Sequence, residues 1–378
     1  MQRRELLRAG CSLALLPTAL AAWRNLPQRV TTGEQSQQGP IRSVVPVVGD
    51  GRWIWTGPPT SERGYLEQRA FRLKTGIEIE STGNVHDIQA TTPLPSAYAE
   101  QVIEQRKFDA PVGSAQVRQL TPGAAQLLFT VPSMSKGQRA AAYVTDELLL
   151  MKQYHGYDAK RFPAKQAIPN EVRGAYLQDS PGIETRAKSV QELAKQLTAD
   201  HDHPWEQAQA FFDWVRTNIE PQLGPYTSVT TALSTRRGDC EEMAGVFVAL
   251  CRAVNIPARL VWVPNHAWAE FYLTDHERQG HWIPAHTACY PWFGYTGAHE
   301  LVLQKGDRLT IPQRGRQLRL VDDWLRWSGA KPRVTYVAEL TPVAAGGEGD
   351  PGPGTRRKDD KGEWIVAGTH ALDKSMRR

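Results

Sequence analysis

Cys240 stands where a polar loop, Thr235-Arg236-Arg237-Gly238-Asp239, gives way to the apolar run Met243-Ala244-Gly245-Val246-Phe247-Val248-Ala249-Leu250-Cys251. A thiol in the first turn of a helix meets unpaired backbone N–H groups and the positive end of the helix dipole, and both favour the thiolate. Burial as a small hydrophobe is the other use of such a cysteine. His266 follows 26 residues later (240 to 266), and His286 another 20 on (266 to 286). Acyl transfer by a cysteine needs this kind of set. A thiol attacks, an imidazole takes its proton and returns it to the leaving amine, and a third polar group fixes the far ring nitrogen.

The elements that would bring the three together are legible in the periodicity. Val190, Leu193, Ala194 and Leu197 share one face of a helix over about 187–199. Pro204 suits a first helical turn, with Asp202 or His203 near the cap, and Trp205, Ala208, Phe211, Phe212, Val215 and Ile219 recur at three or four. The helix that starts at Cys240 shows little polar surface and reads as central and buried. Asn255-Ile256-Pro257 stops it. Strands follow at Arg259–Val263 and at His266-Ala267-Trp268-Ala269-Glu270-Phe271-Tyr272-Leu273, where the two-residue period puts His266, Trp268 and Glu270 on one face. Trp282-Ile283-Pro284-Ala285-His286 closes the hairpin. A helix laid across these two strands can gather Cys240, His266 and His286.

Arg237-Gly238-Asp239-Cys240, then Cys251-Arg252-Ala253-Val254-Asn255-Ile256-Pro257-Ala258-Arg259, then His266-Ala267-Trp268-Ala269-Glu270 and Trp282-Ile283-Pro284 resemble, in order, the core of the transglutaminase-like superfamily. The resemblance covers about 175–290. It implies a papain-like α+β fold, a helix bearing the cysteine packed on an antiparallel sheet, and a Cys-His-Asp triad acting on amide bonds. Residue by residue, it makes Cys240 the nucleophile and His266 the base. The family pattern places Asp two residues after the proline of Trp-x-Pro, and that position here is His286. A neutral imidazole can orient His266, whereas a protonated one, below roughly pH 6.5, repels it. Three readings stand: His286 substitutes, another carboxylate such as Glu270 or Asp275 serves, or the site is non-catalytic. Trp214, Tyr226 and Trp268 are candidate cleft residues.

Composition bounds the rest. The 378 residues allow two domains. A net charge of +5 without a basic stripe or nucleic-acid motif argues against a nucleic-acid partner. Gln2-Arg3-Arg4-Glu5-Leu6-Leu7-Arg8 and the short apolar stretch to Ala22 describe a signal peptide over 1–22, resembling the twin-arginine type, too short to span a bilayer. Cys11 precedes that apolar core and is no lipoprotein cysteine. The expected plan continues with a linker over 23–56 and a small β-sandwich over 57–155, read from alternating strands with turn signals. A transglutaminase-like domain over 175–342 and a mostly disordered tail over 343–378 complete it. Without Cys11 three cysteines remain, and Cys251 can pair with Cys289 while Cys240 stays free. No Cys-x-x-Cys pair occurs, so neither a metal nor another cofactor is expected. The function these features support is an exported, periplasmic or extracellular cysteine enzyme with a protein or peptide substrate. Hydrolysis is favoured over cross-linking. The alternative is a non-catalytic binding module of the cell envelope.

Overall fold

The computed structural model describes residues 55, 57–120 and 123–343, with backbone pairing alone at Arg29–Thr31, Glu34–Ser36, Arg356–Lys358 and Trp364–Val366. The signal peptide over 1–22, most of the linker and most of the tail lie outside these residues.

Six antiparallel strands come first: β1 Gly64–Glu80, β2 Val85–Leu94, β3 Gln101–Asp109, β4 Ser114–Leu120, β5 Ala124–Met134 and β6 Arg139–Tyr154. β1 pairs with β6 along nearly its whole length, β2 with β5, β3 with β6 and β4 with β5. Alternation buries one face of each sheet: Ile77 and Ile79 of β1 and Ala142 and Val144 of β6 meet Ile88 and Ala90 of β2 and Leu127, Phe129 and Val131 of β5 in one core.

Five helices follow: α1 Asn170–Tyr176, α2 Lys188–Leu197, α3 Pro204–Asn218, α4 Val229–Thr235 and α5 Cys240–Ala253. α2, α3 and α5 begin where the periodicity and Pro204 place them. α1 and α4 are seven residues each, too short for a periodic signal. His203 caps α3, its ring accepting from the Trp205 N–H at 3.2 Å. α5 is the centre. Every side chain from Glu241 to Arg252 is buried, and Phe211 and Val215 of α3, Val190 of α2 and Val229 of α4 pack with it. Its other side lies on the hairpin β7 Ala258–Val263, β8 His266–Thr274 and β9 Gly280–Ala285. The expected helix-on-antiparallel-sheet core is present.

Four of the later strands pair back onto the first six. Besides the pair Tyr295–Thr296, labelled β10, they are β11 Gln304–Lys305, β12 Trp324–Gly329 and β13 Arg333–Pro342. β11 pairs with β7 on one side and β5 on the other, so the hairpin and the earlier strands share one continuous sheet. β12 pairs with β2 and β13 with β1.

Buried charge ties the junction. Lys305 Nζ lies 2.6 Å from both Glu270 and Glu100, and Arg259 holds the second Glu270 oxygen at 2.7 Å. Asp307 accepts two bonds from Arg252 at 2.8 and 2.9 Å and one from the Leu260 N–H at 3.0 Å. Asp307→Ala strands the Arg252 guanidinium in the core, and denaturant unfolding should show a loss of about 3–5 kcal/mol.

Candidate active site

Asp239 starts α5 by accepting from the Glu241 N–H at 2.8 Å, and Glu242 returns a bond from the Asp239 N–H at 2.9 Å. This reciprocal cap sets where the helix begins and therefore where Cys240 sits. Gly238 is required beside it, because a Cβ there would stand 2.6 Å from the Glu242 Cβ. Glu242 also accepts from the Thr227 N–H at 2.7 Å, and Glu241 is ion-paired to Arg319. Cys240 itself keeps some surface. β8 runs three residues beyond its last pair with β9 at Ala269, and in that overhang the Ala267 N–H faces the Cys240 sulfur, short of a well-formed bond, and favours its thiolate.

The expectation of a stabilised thiolate is not met in the resting protein. Burial pushes the Cys240 thiol well up, and the carboxyls of Asp239, Glu241 and Glu242 push the same way against the Ala267 N–H. A helix end contributes 0.3–1 kcal/mol, about 2 at best, whereas burial can shift a group by about 3–5 units at 1.36 kcal/mol each. Burial wins. Asp239 is itself pushed up, first by burial and then by facing Glu242, so the cap carries less negative charge than its three carboxyls suggest.

His266 is the first residue of β8, immediately after the two-residue turn Pro264-Asn265, in which Asn265 adopts φ 58°. The turn fixes the register, Val263 opposite His266, and the two-residue period puts the ring on the strand face of Trp268, at the strand end and not on the face that packs on α5. Burial lowers its pKa to about 4. Its Nε2 is buried and has no hydrogen-bond partner.

His286 lies behind it, with ring centroids 6.1 Å apart and planes 29° apart. It is 0% exposed, stacked at 4.4 Å on Trp268 and edge-on at 5.0 Å to Trp292. Arg216 of α3 holds the loop by donating to the carbonyls of His286, Thr287 and Tyr290 at 3.1–3.3 Å. Gln153 donates to Thr296 Oγ1 at 3.3 Å, which leaves the Thr296 hydroxyl proton for His286 Nε2 at 3.2 Å. That assignment puts the ring proton on Nδ1, which is buried without a partner. Burial first, then the charges of His266 and Arg216, hold His286 well below the ordinary histidine range. It is neutral and cannot supply a counter-charge.

A carboxylate does stand there, and it is Glu300. Its Oε2 is 4.0 Å from His286 Nε2, and one ring nitrogen of each histidine and one Glu300 oxygen lie within 4.8 Å of one another. Both Glu300 oxygens are buried without a hydrogen-bond partner. Burial raises its pKa to about 8; the Trp268 indole N–H opposes this from nearby, short of a well-formed bond, and Glu100 adds to it. Nothing local in Ala298-His299-Glu300-Leu301-Val302 pairs with a carboxylate, and that isolation within an apolar run is the signal that could have singled it out.

The other candidates fall elsewhere. Glu270 is held by Arg259 and Lys305, and Asp275 by His281 at 2.7 Å, so neither serves His266. Trp268, expected in the cleft, is 1% exposed and serves as the platform under His286. Tyr226 donates to the Gly182 carbonyl at 2.9 Å and carries Arg319 over its ring at 3.8 Å, which commits it to holding the Glu241 partner. Trp214 is half-buried, with the Arg236 guanidinium 4.6 Å over its ring. Cys251 is buried inside α5 and Cys289 is exposed, so they do not pair.

Residues 191–287, which contain Cys240, His266 and His286, match the core of the Transglutaminase-like superfamily. The chain carries a transglutaminase-like core. Three peptide-N(4)-(N-acetyl-beta-glucosaminyl)asparagine amidases resemble part of it. That of Yarrowia lipolytica is 33% identical over 76 residues, 20% of each chain. That of Gallus gallus is 39% identical over 66 residues, 17% of this chain and 10% of the relative. The human protein is 37% identical over 65 residues, again 17% and 10%. The chain thus spans a fifth or less of these relatives. A candidate cysteine protease from Cytophaga hutchinsonii shares the fold at a TM-score of 0.51 and 15% identity, over 74% of this chain and 92% of that one. Beyond the transglutaminase-like core, no helix among the described residues is long and apolar enough to cross a membrane.

Proposed function

We propose that the protein is an exported cysteine hydrolase that cleaves amide bonds in peptides or glycopeptides through a thioester on Cys240. The observation that carries this is the Ala267 N–H beside the Cys240 sulfur, which places the thiol near the strand end where His266 stands. His266 takes the thiol proton as sulfur adds to the amide carbon. The C–N bond then breaks, and the same proton passes to the leaving amine. Water attacks the thioester with His266 again as base, releasing the acid and the thiol. Because the resting pair is neutral, attack and proton transfer occur together and do not draw on a preformed thiolate. The amidase relatives favour water over an amine as the acyl acceptor.

Incubation with unmodified and Asn-glycosylated peptides, followed by acid quench and intact mass measurement, tests the reading. New amide-cleavage products and an acyl adduct on Cys240, both absent in Cys240→Ala, are the expected result. Product formation equal in the two proteins overturns it.

A second reading, a non-catalytic binding module, is favoured by the same raised thiol and lowered imidazole. Alkylation by iodoacetamide separates the two. In an enzyme, Cys240 is slower than exposed Cys289 at pH 7, and His266→Ala slows it further; indifference to His266 supports the binding module. Export is tested by fractionating cells for a shortened chain outside the cytoplasm.

A further inference from the structure

We propose that His266, His286 and Glu300 form a binding site for a divalent transition metal of the zinc class, and that the bound ion silences the base. The silencing rests on the reading of His266 as that base; the binding does not.

Three buried polar atoms stand here without hydrogen-bond partners, His266 Nε2 and both Glu300 oxygens, and His286 Nε2, whose lone pair meets the Thr296 hydroxyl, lies 4.0 Å from Glu300. Folded proteins leave few such atoms, because each has given up its hydration with nothing in return. Their concentration around one point, with His286 0% and Glu300 6% exposed, marks a place built for something that accepts lone pairs from all of them. Two imidazoles and one carboxylate are a borderline set that suits zinc, cobalt, nickel or iron, and not the all-oxygen shell of magnesium or calcium.

The geometry is close. Ligand atoms about 2.0–2.1 Å from a tetrahedral ion stand roughly 3.3 Å from each other. The three side chains, within 4.8 Å at present, need to contract by up to about 1.5 Å. His286 is fixed by Trp268, Trp292 and Thr296, so His266, at the exposed edge of the strand, is the member that adjusts. It is also the one with a surface, so an ion enters past it. Competing cations are engaged elsewhere: Arg216 on the loop carbonyls and Lys305 on Glu100 and Glu270. An imidazole engaged by a cation loses basicity at its other nitrogen, so the metal-bound protein cannot deprotonate Cys240.

Cys240→Ala, free of any affinity tag, removes the thiol as a competing ligand and needs no activity for its readout. Zinc titrated calorimetrically should bind at one ion per chain. Cobalt should give the visible absorption of a four- or five-coordinate site. Glu300→Gln and His286→Ala, each in that background and checked for folding by circular dichroism, should weaken zinc by roughly tenfold or more. Less than one ion per chain, or equal affinity in all three proteins, overturns the site. In the wild type, one equivalent of zinc should abolish esterase activity and a chelator restore it; full activity with the site filled overturns the silencing. Zinc bound through these residues in a protein with no acyl-transfer activity upholds the site and refutes only the catalytic reading.

Discussion

Glu300→Gln should lower kcat/KM by about 10²-fold at pH 9 and remove the rise in activity expected of the wild type on passing about pH 8. When His266 takes the Cys240 proton it becomes a buried cation, and neutral His286 gives it no counter-charge. Glu300 can, but only when ionised. Its pKa, raised to about 8 by burial, keeps it protonated below that pH and charged above it. The same substitution has the opposite effect on stability. Unfolded, a glutamate gives up its proton near its ordinary value of 4.5; folded, Glu300 keeps it to about 8. Between these values the folded state binds more protons, so wild-type stability falls as pH rises through the window, and the Gln variant is spared. At pH 8 and above Glu300→Gln should therefore be the more stable protein, by on the order of 4 kcal/mol at most. Denaturant midpoints at pH 5 and pH 9 measure the difference. A residue that merely filled space would not lose activity and gain stability together.

His286→Asp alone should not restore an ordinary triad; it should impair the protein, while His286→Asp with Glu300→Gln should recover activity. Residue 286 alone suggests that Asp would improve catalysis, since the family pattern has Asp there. In the folded protein that Asp would face the Glu300 carboxyl across a gap now spanned at 4.0 Å, where both positions are buried. Two carboxyls so placed cannot both ionise; one is forced to hold a proton, and the pair loses stability as pH rises. The two substitutions are thus non-additive. The coupling in both kcat/KM and unfolding free energy should exceed about 2 kcal/mol. Simple additivity would mean that Glu300 does not act on position 286.

The hairpin, the buried helix and the order Cys240, His266, His286 are legible because they rest on local rules. A glycine and a capping Asp precede an apolar run, a short turn stands between two alternating segments, and Pro204 opens a helix. What was not legible depends on distance in sequence. Glu300 reaches the site only through the chain after β9, and no periodicity links it to His266. Trp268 shares a strand face with His266, yet it is buried because the loop carrying His286 folds over it. The thiol's resting state was misread for a related reason. The dipole at a helix end is visible in the sequence, whereas the burial that outweighs it is a tertiary property. The joining of the hairpin to the first strands through Gln304–Lys305 rests on two residues, too few to register as a strand.

The most direct measurement of whether Cys240 and His266 form a catalytic pair needs no natural substrate. Mixing the protein with p-nitrophenyl acetate and following nitrophenol release, with peptide mapping of the acetylated product, reads the acyl-transfer step alone. The account predicts a burst of one nitrophenol per chain, acetyl on Cys240, no burst in Cys240→Ala, and a burst slowed about 10²-fold or more in His266→Ala. Acetyl spread over lysines or exposed Cys289, or an equal burst rate in His266→Ala, would contradict it.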